Sequence, residues 1–259
     1  MTDTALLEPT GIAAEYGHLV TRLIHLMRTS PEPLTLDDLA ETAGVSPFHF
    51  ARIFRSVAGI PPVEFQTALR FERAKSLLLT NTASVTEICF EVGYGSLGTF
   101  SRRFKQMVGI TPGEFRAMPE IVSGMNLKSE ITRRSGGRPE TVALVEGAIS
   151  APLGTSHVYI GLFPERIAAS QPVVGQMLPE PGAFLLPGVP LGRYHLMAAA
   201  LPAAGDPLSH LLPSDGFQVA GGGLVEIRTG AERISRSMSL RPIEPNEPPV
   251  LTALPALLL

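Results

Sequence analysis

The sequence predicts a multi-domain α plus β protein: an all-α double helix-turn-helix domain followed by an antiparallel β-sandwich domain. Three observations predict it. First, one phrase occurs twice, about fifty residues apart. Phe50-Ala51-Arg52-Ile53-Phe54-Arg55, Gly59-Ile60-Pro61-Pro62 and Glu64-Phe65 return as Phe100-Ser101-Arg102-Arg103-Phe104-Lys105, Gly109-Ile110-Thr111-Pro112 and Glu114-Phe115. Self-similarity at such a period marks one supersecondary unit used twice. Second, helix start and stop signals punctuate the chain from about Ile12 to Met118. Third, beyond Pro139 the texture changes to short alternating apolar stretches separated by Gly and Pro.

The helices follow in order. Ile12, Tyr16, Leu19, Leu23 and Met27 repeat at helical spacing, and Pro31 and Pro33 stop that helix. Thr35 caps a short helix through Thr42, with Asp37 and Asp38 in the first turn, where the helix dipole favours acids. Gly44 turns the chain. Ser46 then caps a third helix with Pro47 at its first position, and Gly59 ends it. Pro61-Pro62 open a longer helix to about Thr80, Ser84 caps a fifth, Ser96 a sixth, and Thr111-Pro112 begins a last short one. In each repeat a short helix, a glycine turn and a Ser-capped second helix give a helix-turn-helix, the motif that places its second helix in the major groove of DNA. A twenty-residue helix between the copies spans roughly 30 Å, close to the ~34 Å of one DNA turn.

The expected boundaries are 12–118 for the helical domain, 119–139 for a linker rich in Gly, Ser and Arg, and 140–259 for the sandwich. Strands are expected at Val142 to Ile149, His157 to Phe163, Phe184 to Leu186, Arg193 to Ala199, Phe217 to Val219, Leu224 to Ile227 and Ile234 to Leu240. Gly221-Gly222-Gly223 is read as a turn between two of them, and Pro242 to Pro249 closes the domain. The apolar tail Leu251–Leu259 is read as a segment docked on the body or a frayed end.

Composition narrows the function. The 259 residues carry a formal net charge of −3, so the chain as a whole is not a polycation. From Gly44 to Arg116, however, nine Lys or Arg stand against five Asp or Glu, a local surplus of the sign that phosphates attract. One cysteine, Cys89, excludes an intramolecular disulfide framework and fits a reducing compartment; it is expected to be a buried, inert thiol. No apolar stretch reaches the ~18 residues of a membrane span, and no secretory signal opens the sequence, so a cytoplasmic location is expected. The histidines lack metal-ligand spacing, including His157, His195 and His210. Ser209-His210 and Asp215 lack a nucleophile elbow. No catalysis, cofactor or metal is expected.

The helical segment resembles the DNA-binding domain of the AraC/XylS family of bacterial transcription regulators. The resemblance covers about Ile12 to Arg116. It rests on Leu39-Ala40-x-x-Ala43-Gly44-Val45-Ser46, Arg70-x-x-x-Ala74-x-x-Leu77-Leu78, Ile88-x-x-x-Val92-Gly93-Tyr94, Phe100-x-x-x-Phe104-Lys105 and Gly109-x-x-Pro112-x-x-Phe115-Arg116. Members of that family mostly carry the sensing domain first; here the order is reversed, which weakens any expectation of sugar sensing. The second half is similar, more faintly, to carboxypeptidase-regulatory and transthyretin-like sandwich domains, through Gly147-x-Ile149, Val158 to Phe163, Gly182-x-Phe184 and Val189 to Leu196.

The resemblance implies sequence-specific binding of double-stranded DNA. By motif position, Phe48, His49, Ala51 and Arg52 of the first recognition helix are candidate base contacts, with Ser96, Leu97, Gly98, Thr99, Ser101 and Arg102 of the second. Arg52 and Arg102 occupy equivalent places, and an arginine fork meets guanine O6 and N7 together. Arg55, Arg70, Lys75, Arg103 and Lys105 are candidate phosphate anchors, which set register without reading sequence. Phe48 has a second reading as core, and Arg70 as the ion-pair partner of Glu72 or Glu91. For the sandwich, effector binding, dimerisation and contact with RNA polymerase all stay open. The alternative is a ligand-binding or enzymatic sandwich protein with DNA binding secondary.

Overall fold

A computed structural model describes residues 10–30, 33–124, 132–134, 143–152, 154–202, 211–212 and 217–254. The expected Gly and Ser of the linker at 135–137, Arg138, Pro139, Val142, Ser209-His210, Asp215 and the tail beyond Leu254 lie outside the described residues.

The helices are α1 (Thr10–Thr29), α2 (Leu36–Ala43), α3 (Pro47–Ala58), α4 (Pro62–Thr80), α5 (Val85–Glu91), α6 (Leu97–Val108) and α7 (Pro112–Gly124). Their caps are those expected. Thr35 and Asp38 form a reciprocal capping box on α2, as Ser84 and Glu87 do on α5. Ser46 Oγ accepts from His49 N and Ser96 Oγ from Thr99 N, satisfying amides that a helix start leaves orphaned. Gly44, at φ 68°, supplies the left-handed turn between α2 and α3.

The chain divides into two compact units, Met1–Arg70 with Glu244–Pro249, and Phe71–Ile243 with Val250–Leu259. The division falls inside α4, and the second helix-turn-helix shares a unit with the strands. Each unit holds one copy of the repeat, and each copy packs matching rings. In the first, Phe54 lies 5.7 Å from Phe50 and 5.4 Å from Phe65. In the second, Phe104 lies 5.7 Å from Phe100 and 5.8 Å from Phe115, with Phe71 added 6.0 Å away. All seven of these side chains are fully buried. The inclined ring pairs add roughly 0.5–1.5 kcal/mol each beyond area burial.

The strands are β1 (Thr132–Arg134), β2 (Leu144–Ser150), β3 (Thr155–Phe163), β4 (Val174–Leu178), β5 (Ala183–Pro187), β6 (Gly192–Pro202), β7 (Gln218–Ile227), β8 (Arg233–Ser239) and β9 (Arg241–Pro242). They form a six-stranded sheet, β1-β4-β3-β6-β7-β9, and a three-stranded sheet, β5-β2-β8. One core draws on both: Val145, Phe184 and Met238 from the smaller sheet pack in one cluster with Ile160, Leu162, Leu196 and Ala198 from the larger.

Four expectations need correction here. The sheets are not wholly antiparallel, because β2 and β8 run parallel from Leu144↔Arg233 to Ser150↔Ser239. Gly221–Gly223 is no turn; β7 passes straight through it, with a register shift opposite Leu196/Met197. A Cβ on Gly222 would lie 2.5 Å from a Leu196 methyl and 2.8 Å from Met238 Sδ, so the two sheets close over a backbone that only glycine leaves thin enough. Within the expected linker, α7 continues past Pro119 to Gly124, and Thr132–Arg134 pairs with β4. Finally, β4 was not among the expected strands.

The other face of the larger sheet is also covered. Tyr159, Met177 and Ala199 form a second cluster with Phe217, Val250 and Leu254. Val250 to Leu254 is a buried strap, the docked alternative for this part of the tail. Leu251 N and Thr252 N both donate to Ala168 O, and Ala253 N donates to Val108 O at the end of α6. Burial of its three large apolar side chains contributes roughly 1.5–3 kcal/mol each before ordering entropy is subtracted.

Candidate nucleic-acid interface

The second helix of each copy presents an exposed cationic face. Neither α3 (PFHFARIFRSVA) nor α6 (LGTFSRRFKQMV) contains an acidic residue, although the chain as a whole is acidic. Burial of Phe50, Ile53, Phe54 and Ala58 fixes which way α3 faces, and Phe100, Phe104 and Val108 do the same for α6. The exposed positions lie on the remaining sides.

On α3, Arg52 and Arg55 are exposed and Ala51 is half-buried. Phe48 is 82% exposed, which removes its core reading and leaves a bare aromatic ring one turn before Arg52. Arg52 Nη2 lies 3.2 Å from Nδ1 of half-buried His49. A guanidinium can only donate, so this contact requires the imidazole proton on Nε2. The His49 ring is in turn met edge-on by Tyr16 at 6.4 Å. His49 therefore steers the Arg52 fork as well as facing outward.

On α6, Gly98, Thr99, Arg102, Arg103 and Lys105 are exposed, Leu97 is 40% exposed, and Ser101 is half-buried. Ser96 is exposed but engaged: its hydroxyl accepts from Thr99 N and donates to Thr99 Oγ1 at 3.0 Å.

The two anchors expected on α4 fare differently. Arg70 is half-buried, and its Nε is enclosed without a hydrogen-bond partner. Glu91, one of its suggested partners, pairs instead with Arg73 at 3.1 Å. Lys75 is a correction. It is 2% exposed, donates to the Val250 carbonyl at 3.1 Å, and places Nζ 5.6 Å from the Phe115 ring centre. Burial pulls its pKa down to about 8 against a small upward pull from Glu72. A side chain enclosed by the strap cannot reach a phosphate.

Sequence reasoning also missed a neighbour of α6. The loop between β3 and β4 reaches its C-terminal end, where Ser170, in a left-handed conformation at φ 62°, donates its N–H to Met107 O at 2.6 Å. With Ala253 N on Val108 O, two carbonyls of the last turn of α6 are capped by the strand-bearing part of the chain. No residue pattern in the loop announces this; the apolar character of 250–254 was the one available signal.

Cys89 is fully buried, its Sγ 3.8 Å from the Tyr94 carbonyl, and burial pushes its thiol pKa up. His157 lies near the start of β3, while His195 pairs with Phe163 at the strand's other end. Among the described residues no group of three His, Cys, Asp or Glu is placed to hold a metal ion, and no helix is long and apolar enough to cross a membrane.

Comparison with known proteins bears on the helical segment. Residues 39–118 match the family model described as "Helix-turn-helix domain". A putative AraC-like transcription regulator from Streptomyces lividans is 37% identical over 103 residues, 40% of this chain and 34% of that protein. This segment matches a helix-turn-helix domain and is similar to the corresponding part of an AraC-like regulator. The bifunctional transcriptional activator/DNA repair enzyme AdaA of Bacillus subtilis is 32% identical over 113 residues, covering 44% of this chain and 53% of AdaA. The transcriptional activator RclR of Escherichia coli is 38% identical over 82 residues, 32% of this chain and 29% of RclR. A crystal structure of an AraC-type transcriptional regulator from Chromobacterium violaceum, 33% identical, covers 40% of this chain and 95% of that one, with a TM-score of 0.39. The chain thus spans about a third to a half of the length of the first two curated relatives.

Proposed function

We propose that the protein is a sequence-specific DNA-binding transcription regulator that inserts α3 and α6 into successive major-groove faces of an asymmetric site. The observation that carries this reading is the duplication itself. Two Ser-capped helices without an acidic residue, each with an exposed arginine at the equivalent place (Arg52 and Arg102), sit in a segment that matches a helix-turn-helix family. The 19-residue α4 between them is about 28 Å long at 1.5 Å per residue, a length suited to one helical turn of DNA. Phe48, His49, Ala51, Arg52, Ser96, Leu97, Gly98, Thr99, Ser101 and Arg102 face bases, and Arg55, Arg70, Arg103 and Lys105 hold phosphates. The two sheets form a transthyretin-like sandwich that serves as an effector-binding, dimerisation or polymerase-contact module. A bacterial cytoplasm is the setting, in keeping with the bacterial relatives and the single buried thiol. In-vitro selection from genomic fragments at physiological salt tests the proposal. A bipartite motif with half-sites about 10 base pairs apart is expected; retention of fragments without any shared motif would refute it.

A further inference from the structure

The outward stripe of α6 does not end at its candidate base contacts. Gly98, Arg102, Lys105, Gln106 and Gly109 follow one another on the side opposite the buried Phe100, Phe104 and Val108. At its C-terminal end the stripe runs into an open cleft of about 410 Å³, lined by Arg102, Lys105, Gln106, Gly109, Ser170 and Gln171. Three of these residues come from α6, Gly109 is its C-cap, and two come from the loop between β3 and β4. The lining carries two cations and no carboxylate. Two side-chain amides and a serine hydroxyl supply neutral donors.

The loop is held against the helix. Ser170 N–H is bonded to Met107 O at 2.6 Å, and a Cβ built on Gly109 would meet the Ser170 backbone at 3.6 Å, which is contact without clash. The Gln171 side chain is exposed beside the exposed Arg102 and Lys105. Cations and amide donors converge on an open recess without a carboxylate in its lining; Glu114, which Lys105 influences electrostatically, is engaged by the Thr111 N–H outside it. Such a recess suits an oxyanion of the phosphate class. The recess is too open to enclose a small molecule, and it continues the stripe on which DNA would lie.

We propose that Gln171 and Ser170, from the strand-bearing part of the chain, complete a phosphate-binding cleft with Lys105 and Arg102, and that its occupant is a backbone phosphodiester flanking the second half-site. The sheets are then part of the DNA-binding surface as well as an appendage to it. The inference rests on the DNA-binding reading above, extended to residues that no helix-turn-helix motif contains.

The test uses the full chain and a duplex recovered by selection, with affinity measured by fluorescence anisotropy across a salt series. Gln171 is exposed, so its substitutions spare the core. Gln171→Glu places a carboxylate against Lys105 and Arg102; it is expected to weaken binding about tenfold and to flatten the slope of log K against log salt by about 0.9. Gln171→Lys is expected to tighten binding and steepen that slope by a similar amount. Equal affinities and slopes for the three proteins would overturn the proposal. So would tighter binding by Gln171→Ala, which would mean that the loop obstructs DNA. Calorimetry with inorganic phosphate forms the other arm: phosphate binding abolished by Gln171→Glu, with DNA affinity unchanged, would assign the cleft to a free anion and overturn the DNA assignment. Failure of the wild-type chain to bind any selected duplex would refute the underlying reading and is distinguishable from all of these.

Discussion

Lys75→Met turns the buried lysine into a measurable quantity. Lys75 donates to the Val250 carbonyl, and burial lowers its pKa from 10.5 to about 8. At about 1.36 kcal/mol per pKa unit, keeping this ammonium charged in the fold costs about 3 kcal/mol. Because the folded-state pKa lies below the unfolded one, that penalty is present in full below pH 8. It fades as pH rises from 8 to 10.5, so stability rises with pH over that window. Methionine keeps the length and packing of the side chain but leaves the Val250 carbonyl without its donor, a loss of about 1–3 kcal/mol. At pH 7 the variant should therefore match the wild type or exceed it by up to about 2 kcal/mol. Denaturant unfolding from pH 7 to 9.5 should show the wild type gaining about 2 kcal/mol on Lys75→Met as the lysine loses its proton. Curves that stay parallel across this range would refute the reasoning and mean that the ammonium reaches water.

Two further predictions concern the helical repeats. Arg52→Ala and Arg102→Ala should each relax preference at a different half-site, by about 1–3 kcal/mol for the base concerned, in a competition assay with single-base variants. Arg103→Ala should instead weaken binding to all sequences alike and lower the salt slope by about 1; an unchanged sequence preference in both of the first two variants would remove them from the base-reading set. Cys89, buried and with its thiol pKa pushed up, should resist a thiol-specific chromogenic reagent in the native protein and react once denatured, so rapid native labelling would contradict its placement.

The helical half was legible in the sequence because its boundaries are written in local chemistry. Thr35, Ser46, Ser84 and Ser96 cap, Gly44, Gly59 and Gly109 turn, and Pro47, Pro62 and Pro112 sit at helix starts; each acts within four residues of where it stands. The strands were less legible for the opposite reason. β4 is buried on both faces, so Val174–Leu178 lacks the alternation that betrays a half-exposed strand. Gly221–Gly223 looks like a turn because the reason Gly222 is glycine, Leu196 and Met238 pressing from two other strands, is non-local. The parallel pairing of β2 with β8 joins segments about 90 residues apart, beyond any local signal. Of the candidate site, the exposed faces of α3 and α6 followed from which aromatics would be buried. The burial of Lys75 is not legible locally, because what covers it lies 175 residues away. A helical wheel says which side of a helix a cation occupies, not whether another part of the chain lies over that side.

The capping of α6 has a consequence for synthesis. A helix end is normally finished by residues that follow at once, as Gly109 does when its N–H returns to Lys105 O. The next two donors arrive much later: Ser170 for Met107, and Ala253 for Val108, roughly 145 residues further along. At translation rates of about 5–20 residues per second, that gap amounts to about 7–30 s. During it the end of α6 must leave a carbonyl to water, and Lys75 lacks its cover. The second helix-turn-helix is thus assembled in two acts, its outline drawn when α7 emerges and its last hydrogen bonds closed only when the strap leaves the ribosome. A nascent chain stalled short of residue 250 would carry a finished motif on an unfinished helix.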